Sequence, residues 1–137
     1  MSCPLCVPPE PERILWRDAQ CRVLDAGDAS YPGYCRVVWG AHVREMTDLA
    51  PPERARLLEV VCGVEAALRA LLEPVKINLA SLGNYVPHLH WHVIARFPDD
   101  PHYPDAIWAP IRRQGVARAV DREALRAALV RRLGPGT

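Results

Sequence analysis

Three histidines stand at alternate positions in the run Pro87-His88-Leu89-His90-Trp91-His92-Val93-Ile94, with apolar residues between them. A period of two is that of a β-strand, in which side chains two apart share one face. His88, His90 and His92 are therefore expected on one face, with Leu89, Trp91 and Val93 turned toward a core. Three of the chain's five histidines fall in this run. Histidine titrates near neutrality, so such a row points to chemistry before it points to packing.

Three kinds of chemistry compete for the row. A purely structural strand would need hydrogen-bond partners for three imidazoles in register. A metal site using all three meets a problem of reach. His88 and His92 are four residues apart, so their Cα atoms lie about 13 Å from each other, whereas a zinc-bound nitrogen sits at about 2.1 Å. Two neighbouring histidines reach one ion easily; three do so only with strain. A row that binds phosphate, with one histidine as nucleophile, fits best. His90, in the middle, has a potential donor on each side for the oxygens of a phosphorus under attack.

Cys3-Pro4-Leu5-Cys6 is a second group with chemistry in it. The C-x-x-C spacing suits two ligands on one zinc. No second C-x-x-C occurs, so further ligands must lie elsewhere, and histidines are the candidates. The alternatives are a solvated pair of thiols and a redox pair; no βαβ pattern follows to support the latter.

The segment His88-Leu89-His90-Trp91-His92-Val93-Ile94 resembles the defining motif of the histidine triad (HIT) family of nucleotide hydrolases and transferases, His-φ-His-φ-His-φ-φ with φ apolar. Lys76-Ile77-Asn78-Leu79-Ala80-Ser81-Leu82-Gly83-Asn84 is similar to the family's asparagine-bearing strand and the Gly-polar loop before the triad. Val37-Val38-Trp39-Gly40-Ala41-His42 and Met46-Thr47-Asp48-Leu49 resemble its strand, histidine and connector ahead of a long helix. The likeness covers roughly residues 3 to 110. Two departures stand out. Gly83-Asn84-Tyr85 replaces the frequent Gly-Gln-Ser or Gly-Gln-Thr, and Trp39-Gly40-Ala41 replaces the usual Pro-Lys. Both leave the substrate open, not the class of chemistry.

The resemblance implies an activity like that of the family's dinucleoside polyphosphate hydrolase branch. His90 would attack an α-phosphorus, form a nucleotidyl-histidine and release nucleoside monophosphate after hydrolysis; His92 and His88 complete the catalytic set. Asn78 and Asn84 would contact phosphate or its neighbours, and Asp25 or Asp28 would hold ribose hydroxyls; turn or capping roles compete for all four. In some relatives an N-terminal C-x-x-C joins a histidine before the long helix and the first triad histidine. Here these would be Cys3, Cys6, His42 and His88, a closed structural zinc set that leaves His90 and His92 for catalysis. No catalytic metal is required. A homodimer is implied by the family alone.

These groups need a scaffold, and the chain is long enough for one. At 137 residues it reads as a single domain, with a HIT-like part over 1–115 and a helical extension of that same domain over 116–137. Half of it is apolar, enough for a core. A net charge of +1 offers no bulk attraction to nucleic acid or membrane. No apolar run approaches the length of a spanning helix, and the N-terminus lacks the features of a signal peptide. A cytoplasmic protein is expected, with thiols rather than disulfides.

Strands are expected at Ile14–Trp16, Cys21–Leu24, Tyr34–Trp39, Val75–Ala80 and His88–Arg96, the first two forming a hairpin across Asp18-Ala19-Gln20. Pro51-Pro52-Glu53 opens a helix whose stripe Leu57, Val60, Val61, Val64, Ala67, Leu68 and Leu71 is a core face. Gly63 within it implies close packing on the sheet. Cys21, Cys35 and Cys62 read as core. After an irregular stretch from Pro98, Asp121 caps a short helix carrying Leu125, Leu129 and Leu133, ended by Gly134. The architecture is α+β: a mostly antiparallel five-stranded sheet, one long helix and one short C-terminal helix. The functions in competition are a nucleotide hydrolase, a nucleotidyl transferase of the same mechanism, and a low-turnover nucleotide-binding or zinc-stabilised interaction protein.

Overall fold

Five short segments with apolar residues on one side become five strands: β1 Ile14–Arg17, β2 Cys21–Asp25, β3 Cys35–Trp39, β4 Lys76–Ala80 and β5 His90–Arg96. All neighbours run antiparallel, in the order β1-β2-β3-β5-β4. Two helices complete the α+β fold, α1 over Pro51–Leu72 and α2 over Arg122–Leu133. The computed structural model describes residues 2–137, and Met1 lies outside the described residues.

The hairpin turns where Asp18 stands. Its Oδ1 accepts from the N–H groups of Gln20 and Cys21 at 2.8 and 2.9 Å, the local side-chain bonding that makes aspartate a turn former. Helix α1 starts at the two prolines, with the Glu53 carboxylate accepting the Ala50 N–H at 2.8 Å. It ends at Glu73, which takes a left-handed φ of 48° ahead of Pro74; the residue before proline is disfavoured in the helical region. Asp121 caps α2 by accepting from Glu123 N at 3.0 Å.

One face of the sheet carries the core. Leu57, Val60, Val61, Val64, Ala67 and Leu68 of α1 are buried against Val23, Val37, Val93 and Ala95, and Leu125, Ala128 and Leu129 of α2 join the same cluster. A fully buried Val or Leu contributes about 1.5–3 kcal/mol. Gly63 faces α2, where an added Cβ would collide with the Leu133 side chain. The glycine thus serves helix–helix packing, not helix–sheet packing as its position suggested. Cys62 is exposed, not core, whereas Cys21 and Cys35 are buried. Burial pushes the Cys21 thiol up to about 12 and raises that of Cys35 as well, so neither is a thiolate near neutrality.

The triad strand begins two residues later than its sequence suggested. Ladder pairing with β3 starts at His90, opposite Val38, and His88 precedes it. The backbone explains this: His88 N–H donates to Val86 O at 2.8 Å, a turn-like bond that no strand residue makes to its own chain two positions back. β3 likewise starts at Cys35 rather than Tyr34.

The stretch after β5 is irregular in path but firmly held. Arg96 and Asp100, 2% and 3% exposed, pair through two bonds of 2.8 and 3.1 Å. The same carboxylate accepts from Tyr31 Oη and from the N–H groups of Phe97, His102 and Tyr103. Arg113 then ties Asp100 O and Tyr103 O at 2.6 and 2.9 Å. Burial alone would raise the Asp100 carboxyl; the Arg96 guanidinium and the three N–H donors outweigh it and hold the group well below the usual carboxylate range. A carboxyl lowered in the folded state adds stability above its unfolded value, near 4, and that stability is lost as pH falls through and below it. Asp100→Asn is expected to cost about 3–5 kcal/mol at neutral pH, because it leaves Arg96 buried without its counter-charge. Denaturant unfolding from pH 7 to pH 3 checks both points: the variant should start lower and lose less. Equal stabilities at pH 7 would refute the role given to the pair.

Candidate active site

The sheet face away from the helices holds the polar groups. Alternation along β5 places His90, His92, Ile94 and Arg96 there, opposite Val38, Arg36, Asn78 and Lys76 of the flanking strands. The loop after β4, the N-terminal loop and the segment around Trp108 rise around them to enclose a cavity of about 660 Å³. His90, His92 and Arg36 line it from the sheet, Gly83, Asn84 and Tyr85 from the loop, and Pro4 and Leu5 from the N-terminal side. Trp108 closes another side, its ring edge-on to His92 with centroids 5.0 Å apart.

His90 and His92 are neighbours, with ring centroids 5.1 Å apart. Each is held by one nitrogen. His90 Nδ1 lies 2.6 Å from the His88 carbonyl oxygen. A carbonyl only accepts, so Nδ1 carries a proton, and in the neutral tautomer this selects, Nε2 is the nitrogen with the lone pair. His92 Nδ1 lies 2.6 Å from the Tyr34 hydroxyl. Burial, then the nearby His90 and Arg36, pushes the His92 imidazole down to about 4, so it is neutral near pH 7. Burial raises the Tyr34 phenol, which stays protonated.

His88 is not in this row. Its ring is 1% exposed and its Nε2–H donates to Trp39 O at 2.6 Å. Its Nδ1 faces Cys3, Cys6 and His42, at 3.5 Å from Cys3 Sγ, 3.4 Å from Cys6 Sγ and 3.3 Å from His42 Nδ1; His42 Nδ1 is also 3.4 Å from Cys6 Sγ. The expectation of three imidazoles on one face is thus corrected: two share the cavity and the first belongs to a separate cluster. All four donor atoms of that cluster lie within 4.8 Å of one another. A tetrahedral zinc with bonds of about 2.0–2.3 Å sets its ligands roughly 3.4–3.8 Å apart, so the donor set and its spacing allow a structural zinc. Burial pushes His88 below the ordinary histidine value, against the pull of the Trp39 carbonyl. The Trp39 contact fixes the tautomer with Nδ1 free, the usual arrangement behind a metal-binding imidazole.

The remaining sequence candidates separate. Asn84 lines the cavity. Asn78 faces the same side of the sheet, but its Oδ1 accepts from Arg96 at 2.7 Å. Asp25 Oδ1 accepts from Gly27 N at 2.8 Å, its other oxygen lying 3.6 Å from Arg122 Nε, and Asp28 Oδ1 accepts from Ser30 N at 2.9 Å. Both aspartates make turns. Tyr85 is fully exposed at the cavity rim. Sequence reasoning missed Tyr34, Arg36, Pro4 and Leu5. Only Arg36 left a trace: a cation alternating with apolar residues inside Cys35-Arg36-Val37-Val38-Trp39 faces away from the core.

Comparison with known proteins follows the same lines. The family model of the HIT domain matches residues 8–99. A crystal structure of a histidine triad protein from Bradyrhizobium japonicum superposes with a TM-score of 0.69 at 30% identity, covering 88% of this chain and 91% of that one. A histidine triad protein from Sinorhizobium meliloti 1021 gives 0.71 at 28%, covering 89% and 90%. A zinc-bound histidine triad family protein from Mycobacterium smegmatis shares the fold, with a TM-score of 0.67 at 24% identity over 96% and 95%. None of the curated proteins matches. With the motif, the sheet that carries it and a family model over most of the chain in agreement, the chain belongs to the HIT domain family.

Proposed function

We propose that the protein is a nucleotide hydrolase of the HIT type, acting at an α-phosphorus through His90. The observation that carries this reading is the 2.6 Å contact from His90 Nδ1 to the His88 carbonyl. It selects the neutral tautomer whose lone pair is on Nε2, beside a cavity large enough for a nucleotide. In the first step the Nε2–phosphorus bond forms and the bond from phosphorus to the leaving group breaks, the electron pair departing with that group. Water then attacks the same phosphorus, the N–P bond breaks, and nucleoside monophosphate leaves with His90 restored. The Tyr34 hydroxyl, donating to His92 Nδ1, keeps the single N–H proton of that neutral ring on Nε2. His92 thereby offers one N–H to the phosphoryl oxygens as charge develops. Asn84 supplies a neutral amide at the cavity wall.

Cys3, Cys6, His42 and His88 hold a structural zinc in this reading. A bound zinc supplies cross-linking of three chain segments, and the two residues between its cysteines, Pro4 and Leu5, line the nucleotide cavity. The sheet supports a homodimer. β4 is an edge strand; Leu79 on it is 39% exposed, and Val75 just before it and Leu82 just after it are 56% and 54% exposed. An open edge with apolar side chains is a template for a second strand. No helix among the described residues is long and apolar enough to cross a membrane.

Nucleoside monophosphate release from dinucleoside polyphosphates and adenosine phosphoramidate tests the first reading. Wild type should turn over and His90→Ala should lose at least about 1,000-fold in kcat, as removal of a covalent nucleophile does; retained turnover in the variant would sink the mechanism. Protein purified without added metal should contain close to one equivalent of zinc. Cys3→Ser with Cys6→Ser should abolish it and lower the melting temperature, since binding energy of a structural zinc is folding energy. A metal-free wild type of equal stability would refute the site. Sedimentation should give twice the protomer mass, falling to the monomer for Leu79→Lys; a monomeric wild type would refute the pairing.

A further inference from the structure

Among the described residues, Arg36 is the one permanent charge lining the cavity, and no carboxylate pairs with it. It is the second residue of β3, directly opposite His92 on β5, and such pairs have Cβ atoms about 4.5–5.5 Å apart. Its side chain is half-buried, with the guanidinium carbon 5.4 Å from the centre of the Tyr34 ring. Tyr34 is the residue that holds His92. Three arginines elsewhere that are buried or half-buried do have carboxylate partners: Arg22 with Glu12, Arg56 with Asp18 and Arg96 with Asp100. Arg36 forms no ion pair among the described residues, and no aspartate or glutamate among them lines the cavity it faces. A partly desolvated guanidinium with no carboxylate is costly unless something anionic comes to it.

The reaction at His90 can expel two kinds of group. In a phosphoanhydride the leaving group is a polyphosphate, and negative charge grows on its bridging oxygen as the P–O bond breaks. In a phosphoramidate it is an amine, which has no anionic oxygen and must gain a proton to depart. A guanidinium fork matches phosphate oxygens with two parallel bonds. The same fixed cation gives an amine nothing to bind and opposes its protonation.

We infer that Arg36 binds the leaving-group phosphates of a nucleoside polyphosphate, and so makes the cavity select phosphoanhydrides over phosphoramidates. The inference rests on the proposed transfer to His90. Arg36 forms no bond to the reacting phosphorus. It meets the oxygens of the departing polyphosphate while the new Nε2–phosphorus bond forms and the P–O electron pair leaves on that group.

Two measurements test this. In the first, kcat/KM is compared for diadenosine tetraphosphate and adenosine phosphoramidate, both of which would yield adenosine monophosphate. Arg36→Gln should lose about 10- to 100-fold on the tetraphosphate, the range of charge-assisted hydrogen bonds, and stay within about twofold on the phosphoramidate. Arg36→Lys should fall between, because a point charge replaces the fork. An equal loss on both substrates would place Arg36 on the transferred phosphate and overturn the selectivity; no loss on the tetraphosphate would overturn the contact. In the second, binding of adenosine triphosphate and monophosphate is titrated to His90→Ala with and without Arg36→Gln. The triphosphate should weaken about tenfold or more and the monophosphate stay within about twofold, which also shows that the variant is folded. If wild type turns over neither substrate but the binding difference holds, the hydrolase reading fails and the role of Arg36 in reading polyphosphate stands. If triphosphate and monophosphate weaken alike, Arg36 does not discriminate and the inference fails.

Discussion

The site hangs on His88 and its three polar contacts. Its Nε2–H reaches the Trp39 carbonyl at the end of β3, its Nδ1 faces the Cys3, Cys6 and His42 donors, and its backbone carbonyl accepts from His90. One residue therefore meets the end of a strand, the Cys3, Cys6 and His42 donors and the Nδ1 of the next imidazole. These contacts require His88 to stand outside the ladder. A residue in regular strand register would have its carbonyl committed to a neighbouring strand or to solvent, and its ring beside those of His90 and His92. The break in the strand is what separates His88 from the two imidazoles of the cavity.

A second set of buried polar bonds lies at the far end of β5. Arg96 and Asp100 sit at the end of β5 and gather Tyr31, His102, Tyr103 and Arg113 around them. Fully satisfied buried charges of this kind specify one arrangement of an otherwise irregular loop. The loop then carries Trp108 to the edge of His92. Tyr34 performs the complementary task from below, holding His92 by its Nδ1. The cavity is thus assembled from a sheet floor and three segments, the loop after β4, the N-terminal loop beside the Cys3–Cys6–His42–His88 cluster and the Trp108 segment beyond the Arg96–Asp100 pair. His90 and His92 are each held at Nδ1 by a protein partner, the His88 carbonyl and the Tyr34 hydroxyl.

Much of the scaffold was legible in the chain. Period two in Cys21–Leu24 and His90–Val93, proline at the start of α1 and aspartate at the start of α2 are local signals, because hydrogen bonding and burial within a few residues decide them. The strand boundaries that moved did so by one or two residues; at His88 a turn bond competed with the ladder. Gly63 and Cys62 were misplaced for another reason. Periodicity places a residue on a face of a helix but does not say which element, if any, covers that face. Here α2 covers the Gly63 side, and solvent meets Cys62.

The same division holds in the site. Sequence alone determined which residue types were present and that His90 and His92 share a face, since strand geometry makes that relation local. It also marked Cys3 and Cys6 as a pair, since two positions of separation between thiols suit one ion. Only the tertiary structure decided the rest. It took His88 out of the row, left Asp25 and Asp28 to their turns, committed Asn78 to Arg96, and brought Tyr34, Arg36, Leu5 and Trp108 around two imidazoles far away in sequence. Those relations depend on which strands pair and which loops fold over them, and such long-range contacts leave no period in the chain to read.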